Sequence, residues 1–522
     1  MASLIPPATI ATHTISQVLA RNAEVKGDRV WLVAPDTGAS ITWQTAHTQA
    51  QAIAATLQSH GMKPGDTIAL ASPNSIGACL AWLGIVIAGG RAVPINLVAG
   101  RKVMDYVLAH SETRLALVSD AAGEDITAAI DNATKGADKP ITRLSLYADE
   151  GLAADDIAKS NITAKNFTPP TISPSHEALL MYTSGTTGMP KGVLHSHGSL
   201  LAAGRNVMVA HNLTSDDRGL CVLPIYHING LCVTVLGSLV SASSLVMPPK
   251  FSLTQFWQQL YDHKCSWFSA VPTHFAYILN DDRTPPLDPK RLRFARSASA
   301  PLPPETHRKF EKRFGIPIIE TMGLTETGAQ ILSNPMPPQK RKIGSPGIAY
   351  GNEVRIADPE TLATLGAGEE GEILVRGDNV MLGYLKQAEE TAKTITADGW
   401  LRSGDLGRMD GDGFVFVTGR IKELIIKGGE NITPREVDEA LLTHKAVLEA
   451  AAFGRPCAMY GQRVEACVRL KSDAVASPPE LIAHCQSVLG QFKSPEAIHI
   501  LDELPKGPSG KVQRLKLIDL VG

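Results

Sequence analysis

Aromatic residues are scarce, at 5% of 522 positions, and neither sign of charge dominates: 50 Lys and Arg stand against 52 Asp and Glu, a formal net charge of −2. That balance gives no electrostatic basis for gripping nucleic acid or an anionic membrane. No stretch reaches the ~18 consecutive apolar residues that mark a membrane span. The most apolar run nearby, Trp82 to Ala88, is ended by Gly89-Gly90-Arg91. The opening residues, Met1-Ala2-Ser3-Leu4-Ile5-Pro6-Pro7, have neither the basic region nor the apolar core of a signal peptide. The seven cysteines (79, 221, 232, 265, 457, 467 and 485) are odd in number and form no CxxC pair. Most lie in apolar runs such as Gly219-Leu220-Cys221-Val222-Leu223, the pattern of buried free thiols in a reducing compartment. These absences point to a cytoplasmic protein. No internal repeat or low-complexity tract is present, and no feature sets an oligomeric state.

What is there is a long chain, 44% hydrophobic, of a length suited to about three or four ordinary domain units. Asn22 to Ile41 reads as a short strand unit, and Thr42 to His60 has helical spacing through Ala46, Ala50, Ile53 and Leu57. Helix, turn and buried strand then recur: Thr67 to Ala71, Ile76 to Ile87, Arg91 to Ile95, Val103 to His110, Leu115 to Ser119. That alternation predicts a doubly wound, mainly parallel sheet. Ala122 to Ser175 is polar and Pro-bearing and reads as an irregular surface connection. A second alternating block runs from about Ala178 to Met336. From Ile343 to Val417 short strands separated by Gly turns predict a small β unit, and the last hundred or so residues read as a compact α+β domain.

Residues 182 to 192 read Tyr-Thr-Ser-Gly-Thr-Thr-Gly-Met-Pro-Lys-Gly. Thr183 to Gly188 has almost no apolar surface to bury. It suits a loop that lays backbone N–H groups and hydroxyls against phosphate oxygens, with Lys191 adding a point charge. A Walker loop needs Ser or Thr directly after its Lys, and here Gly192 follows Lys191. A flexible linker is the bland alternative by composition. The apolar segments on either side, Ala178 to Tyr182 and Gly192 to Leu194, favour a phosphate loop between strands.

Four more motifs follow in order. Glu320-Thr321-Met322-Gly323-Leu324-Thr325-Glu326-Thr327 sets a hydroxyl beside a carboxylate after a predicted strand. Trp400 to Gly407 sets Asp405 in a Gly-flanked turn, Gly419-Arg420 follows, and Pro505 to Lys511 puts a lysine on a rigid loop. With these five, the chain resembles the adenylate-forming superfamily of acyl-CoA synthetases, luciferases and peptide-synthetase adenylation domains, over about residues 15 to 518. The resemblance implies a large N-terminal domain, 1–419, of two doubly wound α/β subdomains (to about 340) and a small β-barrel (about 341–419). A small α+β domain, 420–522, would rotate on a hinge between two half-reactions.

The resemblance also implies roles. Thr183, Ser184, Gly185, Thr186, Thr187, Gly188 and Lys191 would hold the β- and γ-phosphates of ATP. Thr325 would contact the α-phosphate and Glu326 would hold Mg²⁺. Ser299, Ala300, Pro301, Glu320, Thr321, Met322 and Gly323 would line the adenine slot. Asp405 would accept from the ribose hydroxyls and Arg420 would support ribose and phosphate. Lys422 takes the hinge position. Lys427, Gly428, Gly429 and Glu430 would border the CoA channel, and Lys511 would bridge acyl carboxylate and α-phosphate. Cations around a pentacoordinate phosphorus are what a carboxylate attacking a triphosphate requires. Each residue has a plainer reading: Lys511 as surface lysine, Asp405 as turn residue, Glu326 as a helix-start carboxylate, His227 as a hydrogen-bonded core histidine. Three departures stand out: Met322 where relatives stack an aromatic on adenine, Gly507-Pro508 ahead of Lys511, and Arg455 to Gln462 in place of an acidic pattern.

Within the superfamily the texture is similar to the oxalate–CoA ligase branch, through Leu223-Pro224 with His227 and Gly230, Ala270 to Thr273, Arg293 to Ser297 and Ser333-Asn334-Pro335. Oxalate ligases carry a histidine near the position of Ala329. The acyl pocket is expected around His227, Gly323, Ala329 and Arg205, and a second anionic group on the acid could meet Arg205, His197, His227 or Arg296. The expected reaction is an AMP-forming acid–CoA ligation of a short polar or dianionic acid such as oxalate, malonate or sulfoacetate, with ATP and CoA as co-substrates. The alternatives are a medium- or long-chain fatty acid ligase, a module loading a carrier protein, for which this chain holds no carrier domain, and a nucleotide-binding protein without chemistry.

Overall fold

The computed structural model describes residues 3–135, 140–152, 167–183, 189–283, 291–472, 474–506 and 512–521. Thr42 caps the helix Trp43–Ser59 by accepting from the Thr45 N–H, and Ala46, Ala50, Ile53 and Leu57 are buried along one face. The helix Ile76–Ile87, capped by Ser75, goes further: all 12 residues are buried. It has no polar face because it lies within a shared core that joins residues of both large sheets.

Those two sheets are parallel at their centres. One runs, in spatial order, through Gly383–Tyr384, Lys191–Ser196, Glu177–Thr183, Arg91–Pro94, Thr67–Ala71, Leu115–Ser119, Thr142–Tyr147 and Gly151–Leu152. The other runs through Ile348–Ala349, Leu332–Ser333, Ile318–Met322, Phe294–Ser297, Trp267–Ala270, Arg218–Cys221, Ser244–Val246, Val30–Val33 and Ser40–Thr42. Antiparallel pairs close their edges, for example Met322 opposite Leu332 and Met181 opposite Val193. Near-continuous apolar strands such as Thr67–Ala71, buried at every position, are what helices on both faces demand.

The later β unit is a four-stranded antiparallel sheet of Glu353–Ala357, Glu370–Arg376, Leu401–Met409 and Val415–Arg420. Its inner residues Ile356, Ile373, Val375 and Val415 pack on Ile331 and Leu332, which complete a barrel-like core. After Arg420 a separate sheet forms around the long hairpin Val447–Cys457 and Gly461–Leu470, with the helices Pro434–Leu442 and Pro478–Lys493 against it. Six cysteines are buried and Cys457 is partly exposed; none is disulfide-bonded. Among the described residues no helix is long and apolar enough to cross a membrane.

Two segments differ from the sequence reading. Asn22–Lys26 belongs to the helix Ile15–Lys26, started by a Thr14–Gln17 capping box, and strand begins only at Val30. The stretch after Ala122 holds a helix, Glu124–Lys135, and strands Thr142–Tyr147 and Gly151–Leu152. The helix buries Ile126, Ala129 and Ile130; three apolar positions in a polar run gave a stripe too narrow to see against the surrounding polarity.

Five histidines are buried enough to be held neutral. Loss of hydration lowers His195, His197, His227 and His274 to about 4, and His211 to about 3. The unfolded chain binds those protons near 6.5 while the folded chain does not, so stability falls as pH drops below about 6.5. The melting temperature is therefore expected to decline between pH 6.5 and about 5, a window above the ordinary carboxylate range. A melting temperature that stays level there would contradict neutral burial of these rings.

Candidate active site

Parallel α/β sheets present their loops at the carboxyl ends of the strands, and Thr183, Ser299 and Gly323 stand at or just beyond such ends, while Asp405 and Arg420 belong to the antiparallel unit. Thr183 ends one strand and Lys191 begins its antiparallel partner, directly opposite. The intervening Ser184, Gly185, Thr186, Thr187 and Gly188 lie outside the described residues, as does Lys511. Lys191 Nζ contacts Glu390 Oε2 at 2.6 Å and stands 4.9 Å from the Tyr384 ring centre.

Thr325–Thr327 is one turn of 3₁₀ helix following the strand Ile318–Met322. Three contacts clamp it. Buried His195 donates through Nε2 to the Thr325 carbonyl at 2.7 Å, since the neutral ring needs that tautomer to satisfy the acceptor. The Met381 N–H donates to the Glu326 carbonyl at 2.8 Å, and Asn379 Nδ2 to the Thr327 carbonyl at 2.7 Å. The Tyr384 hydroxyl donates to Glu326 Oε1 at 2.9 Å. Burial, with the Glu326 charge beside it, pushes the Tyr384 hydroxyl far above its usual range, so it stays a donor.

Gly323 is fixed by a close approach: a Cβ there would stand 1.1 Å from the Ala329 carbonyl oxygen. Ala329 itself adopts φ +89°. Ser299 also has a positive φ, +73°, and its hydroxyl accepts from Asn229 Nδ2 at 3.0 Å. Ala300 and Pro301 follow it on the surface side. Glu320 is buried, accepts the Leu302 N–H at 3.2 Å and has Oε2 without a partner; burial raises its carboxyl. Thr321 is committed to the Ser297 carbonyl at 3.1 Å, and Met322 is half-buried.

Asp405 and Arg420 face each other across antiparallel strands, with Nε to Oδ1 at 2.7 Å. The Asp405 charge drives the guanidinium further above its normal range. Two residues on, Lys422 is exposed in the single turn Ile421–Glu423 that links the β unit to the last sheet. Gly428 and Gly429, at φ +61° and +86°, make the exposed tip of the hairpin Ile425–Lys427 and Glu430–Ile432. Lys427 is not presented at that tip. It is buried against Glu496 at 2.9 Å, and it lines a cavity of about 510 Å³ with Tyr460, Gln486, Phe492 and Ser494.

The four basic candidates separate sharply. His197 accepts the Ile15 N–H at 3.2 Å and is neutral; His227 is neutral by burial. Arg205 is half-buried, with a 3.4 Å contact to Asn206 Oδ1. Arg296 alone is a fully buried cation. Sequence reasoning missed Tyr384, Glu390 and Asn229, which carry no motif of their own.

The hairpin that pairs Thr183 with Lys191, the clamped Thr-Glu turn and the Asp405–Arg420 pair lie in the order of the adenylate-forming motifs, and the parallel α/β scaffold is of the kind that carries nucleotide-dependent enzymes. The chain belongs to the AMP-binding enzyme family: the family's main domain matches residues 19–385, and the AMP-binding enzyme C-terminal domain matches 436–511. It is 44% identical to a sulfoacetate–CoA ligase of Cupriavidus necator over 97% of both chains, and 35% identical to an oxalate–CoA ligase of Arabidopsis thaliana over 87% of this chain and 88% of that one. The fold matches ATP-bound MatB from Rhodopseudomonas palustris with TM-score 0.88, 29% identity, and coverage of 97% of this chain and 99% of that one. The expectation of an AMP-forming acid–CoA ligase holds.

Gly323→Ala is expected to cut activity by at least about 10²-fold, because its methyl must displace the Ala329 backbone by ångströms. Unchanged turnover would show that this wall is free to move. Asp405→Asn removes the charge that pairs with Arg420 and is expected to raise the KM for ATP about tenfold or more; initial rates at varied ATP check it, and an unaltered KM would remove Asp405 from the nucleotide site.

Proposed function

We propose that this chain is a sulfoacetate-class acid–CoA ligase, acting on a short acid that carries a second oxyanion. The observation that carries the reading is the 44% identity to a sulfoacetate–CoA ligase, sustained over 97% of both chains. The interior behind Ser299 and Ala329 supports it. Asn229 with Arg296, and Asn206 with Gln330, are buried polar pairs, and Asn206 Nδ2, Arg296 Nε and Gln330 Oε1 lack partners among the described residues. An alkyl chain packed on such groups would strip them of water without replacing the lost hydrogen bonds.

In this reading 420–522 is the domain that swings on Lys422 after 1–419 has bound ATP. Thr183 to Gly188 and Lys191 hold the outer phosphates, and Lys191 must exchange Glu390 for them. Thr325 holds the α-phosphate, Asp405 the ribose and Ser299 to Pro301 the adenine edge. Lys511 joins the acid carboxylate to the α-phosphate. The carboxylate oxygen forms the new bond to phosphorus as the bond to pyrophosphate breaks. In the second step the CoA thiolate forms the C–S bond and AMP leaves, the pantetheine passing the Gly428-Gly429 tip. Glu326 fits a Mg²⁺ ion. Tyr384 occupies only Oε1, leaving Oε2 without a hydrogen bond among the described residues. No group of three or more His, Cys, Asp or Glu that could hold a metal exists among those residues, which suits an ion held mainly by phosphates and water. When bound it would offset phosphate charge. A cytoplasmic enzyme would meet both co-substrates, ATP and CoA.

The products test the root of the reading: AMP and pyrophosphate in equal amounts with the thioester are expected, and ADP with phosphate would overturn it. Lys511→Ala is expected to slow adenylation by about 10²–10³-fold while sparing transfer from a supplied acyl-adenylate to CoA. Equal losses in the two steps would remove Lys511 from the first.

A further inference from the structure

Arg296 ends up in an electrostatic position that no other described cation shares. It lies on the strand Phe294–Ser297 between parallel neighbours Trp267–Ala270 and Ile318–Met322, and its side chain is 1% exposed. Among the described residues it has no carboxylate within ion-pair distance, although Arg293, on the same segment, has Asp217 at 2.6 Å. Its partners are neutral: Nη1 donates to Asn229 Oδ1 at 2.9 Å and to Ser269 Oγ at 3.2 Å. Nε has no partner among the described residues. Burial lowers its pKa to about 9, which still leaves it charged at neutral pH. A buried cation facing only neutral groups is costly unless an anion arrives to meet it.

The surroundings show where that anion would come from. Asn229 bridges Arg296 to Ser299, since its Nδ2 donates to the Ser299 hydroxyl at 3.0 Å. Ser299 is the left-handed residue at the mouth of the loop assigned to the nucleotide. Asn229 also opens the π-helical stretch Asn229–Leu236, a form found often at functional sites. So Arg296 and Asn229 form a short polar path leading inward from Ser299. The other cations are unsuited: His227 and His197 are neutral, and half-exposed Arg205 can be hydrated. We propose that Arg296, with Asn229 and Ser269, is the receptor for the second oxyanion of the acid, a compact sulfonate or carboxylate one carbon beyond the carboxylate that is activated. The proposal rests on the dianionic-acid reading above. A guanidinium offers several fixed donors, which match a sulfonate or carboxylate edge, and binding would complete the ion pair that the folded chain lacks.

The test compares sulfoacetate, malonate and propionate with wild-type enzyme, Arg296→Met and Arg296→Lys. Wild type is expected to prefer the two dianions, and Arg296→Met to lose at least about 10²-fold in kcat/KM for them, mostly through KM, as expected when a charged partner is removed. Propionate should change by less than about threefold and the KM for ATP should hold. Arg296→Lys should restore part of the dianion activity. Unliganded melting separates this from a scaffold role. Removing an unpaired buried charge should leave the melting temperature level or higher, and the sulfoacetate-induced rise seen in wild type should vanish. Parallel losses for dianions and propionate, with a lowered melting temperature, would make Arg296 a structural residue and overturn the proposal. Should Arg296→Met fail to fold, Asn229→Asp supplies an internal counter-ion. It is expected to abolish the dianion preference, and retention of that preference would equally overturn the receptor. If wild type itself prefers propionate or longer alkyl acids, the dianionic reading fails first and the receptor with it.

Discussion

The helix Ile76–Ile87 has no face left for water, and the architecture depends on that constraint. A helix apolar all round must be covered on all sides, and here its residues share one core with both parallel sheets. The sheets are thereby locked face to face about a common interior. Strands from both sheets share that interior, and the link between them reaches the Thr-Glu turn, where His195 of one sheet meets the Thr325 carbonyl that follows a strand of the other. Catalytic geometry here is a by-product of burying one hydrophobic helix.

Much of that scaffold was legible in the sequence because period and punctuation agreed. Ile76 to Ile87 and Leu115 to Ser119 came out with the observed ends, and Trp43–Ser59 within a residue or so. The segments around Lys191, Thr325-Glu326 and Asp405 stood out in the sequence because each sets polar or charged residues side by side; that Asp405 meets Arg420, 15 positions on, was not legible. What escaped was made by the fold. Tyr384 meets Glu326 from 58 positions away and Glu390 meets Lys191 from 199 away. Neither tyrosine nor glutamate is marked by its neighbours. Lys427 was misread for the same reason: its turn is exposed, but its own side chain turns inward onto Glu496.

The charges of the site fall into two kinds. Asp405–Arg420 and Lys191–Glu390 are each satisfied within the protein, so any ion meeting them would exchange partners and not fill a bare charge. Clamping of Thr325–Thr327 by neutral His195 works differently. It fixes backbone without introducing charge at that turn.

The cysteines gain a meaning from the chemistry around them. An acyl-adenylate will acylate any competent thiolate it meets, and the enzyme's own thiols compete with CoA for it. Six of the seven are buried, and burial raises every one of those six above the ordinary thiol range. A thiol that stays protonated is a poor nucleophile. The packing that holds the sheets together thus withdraws six of the seven thiols from that competition, and only Cys457 is partly exposed.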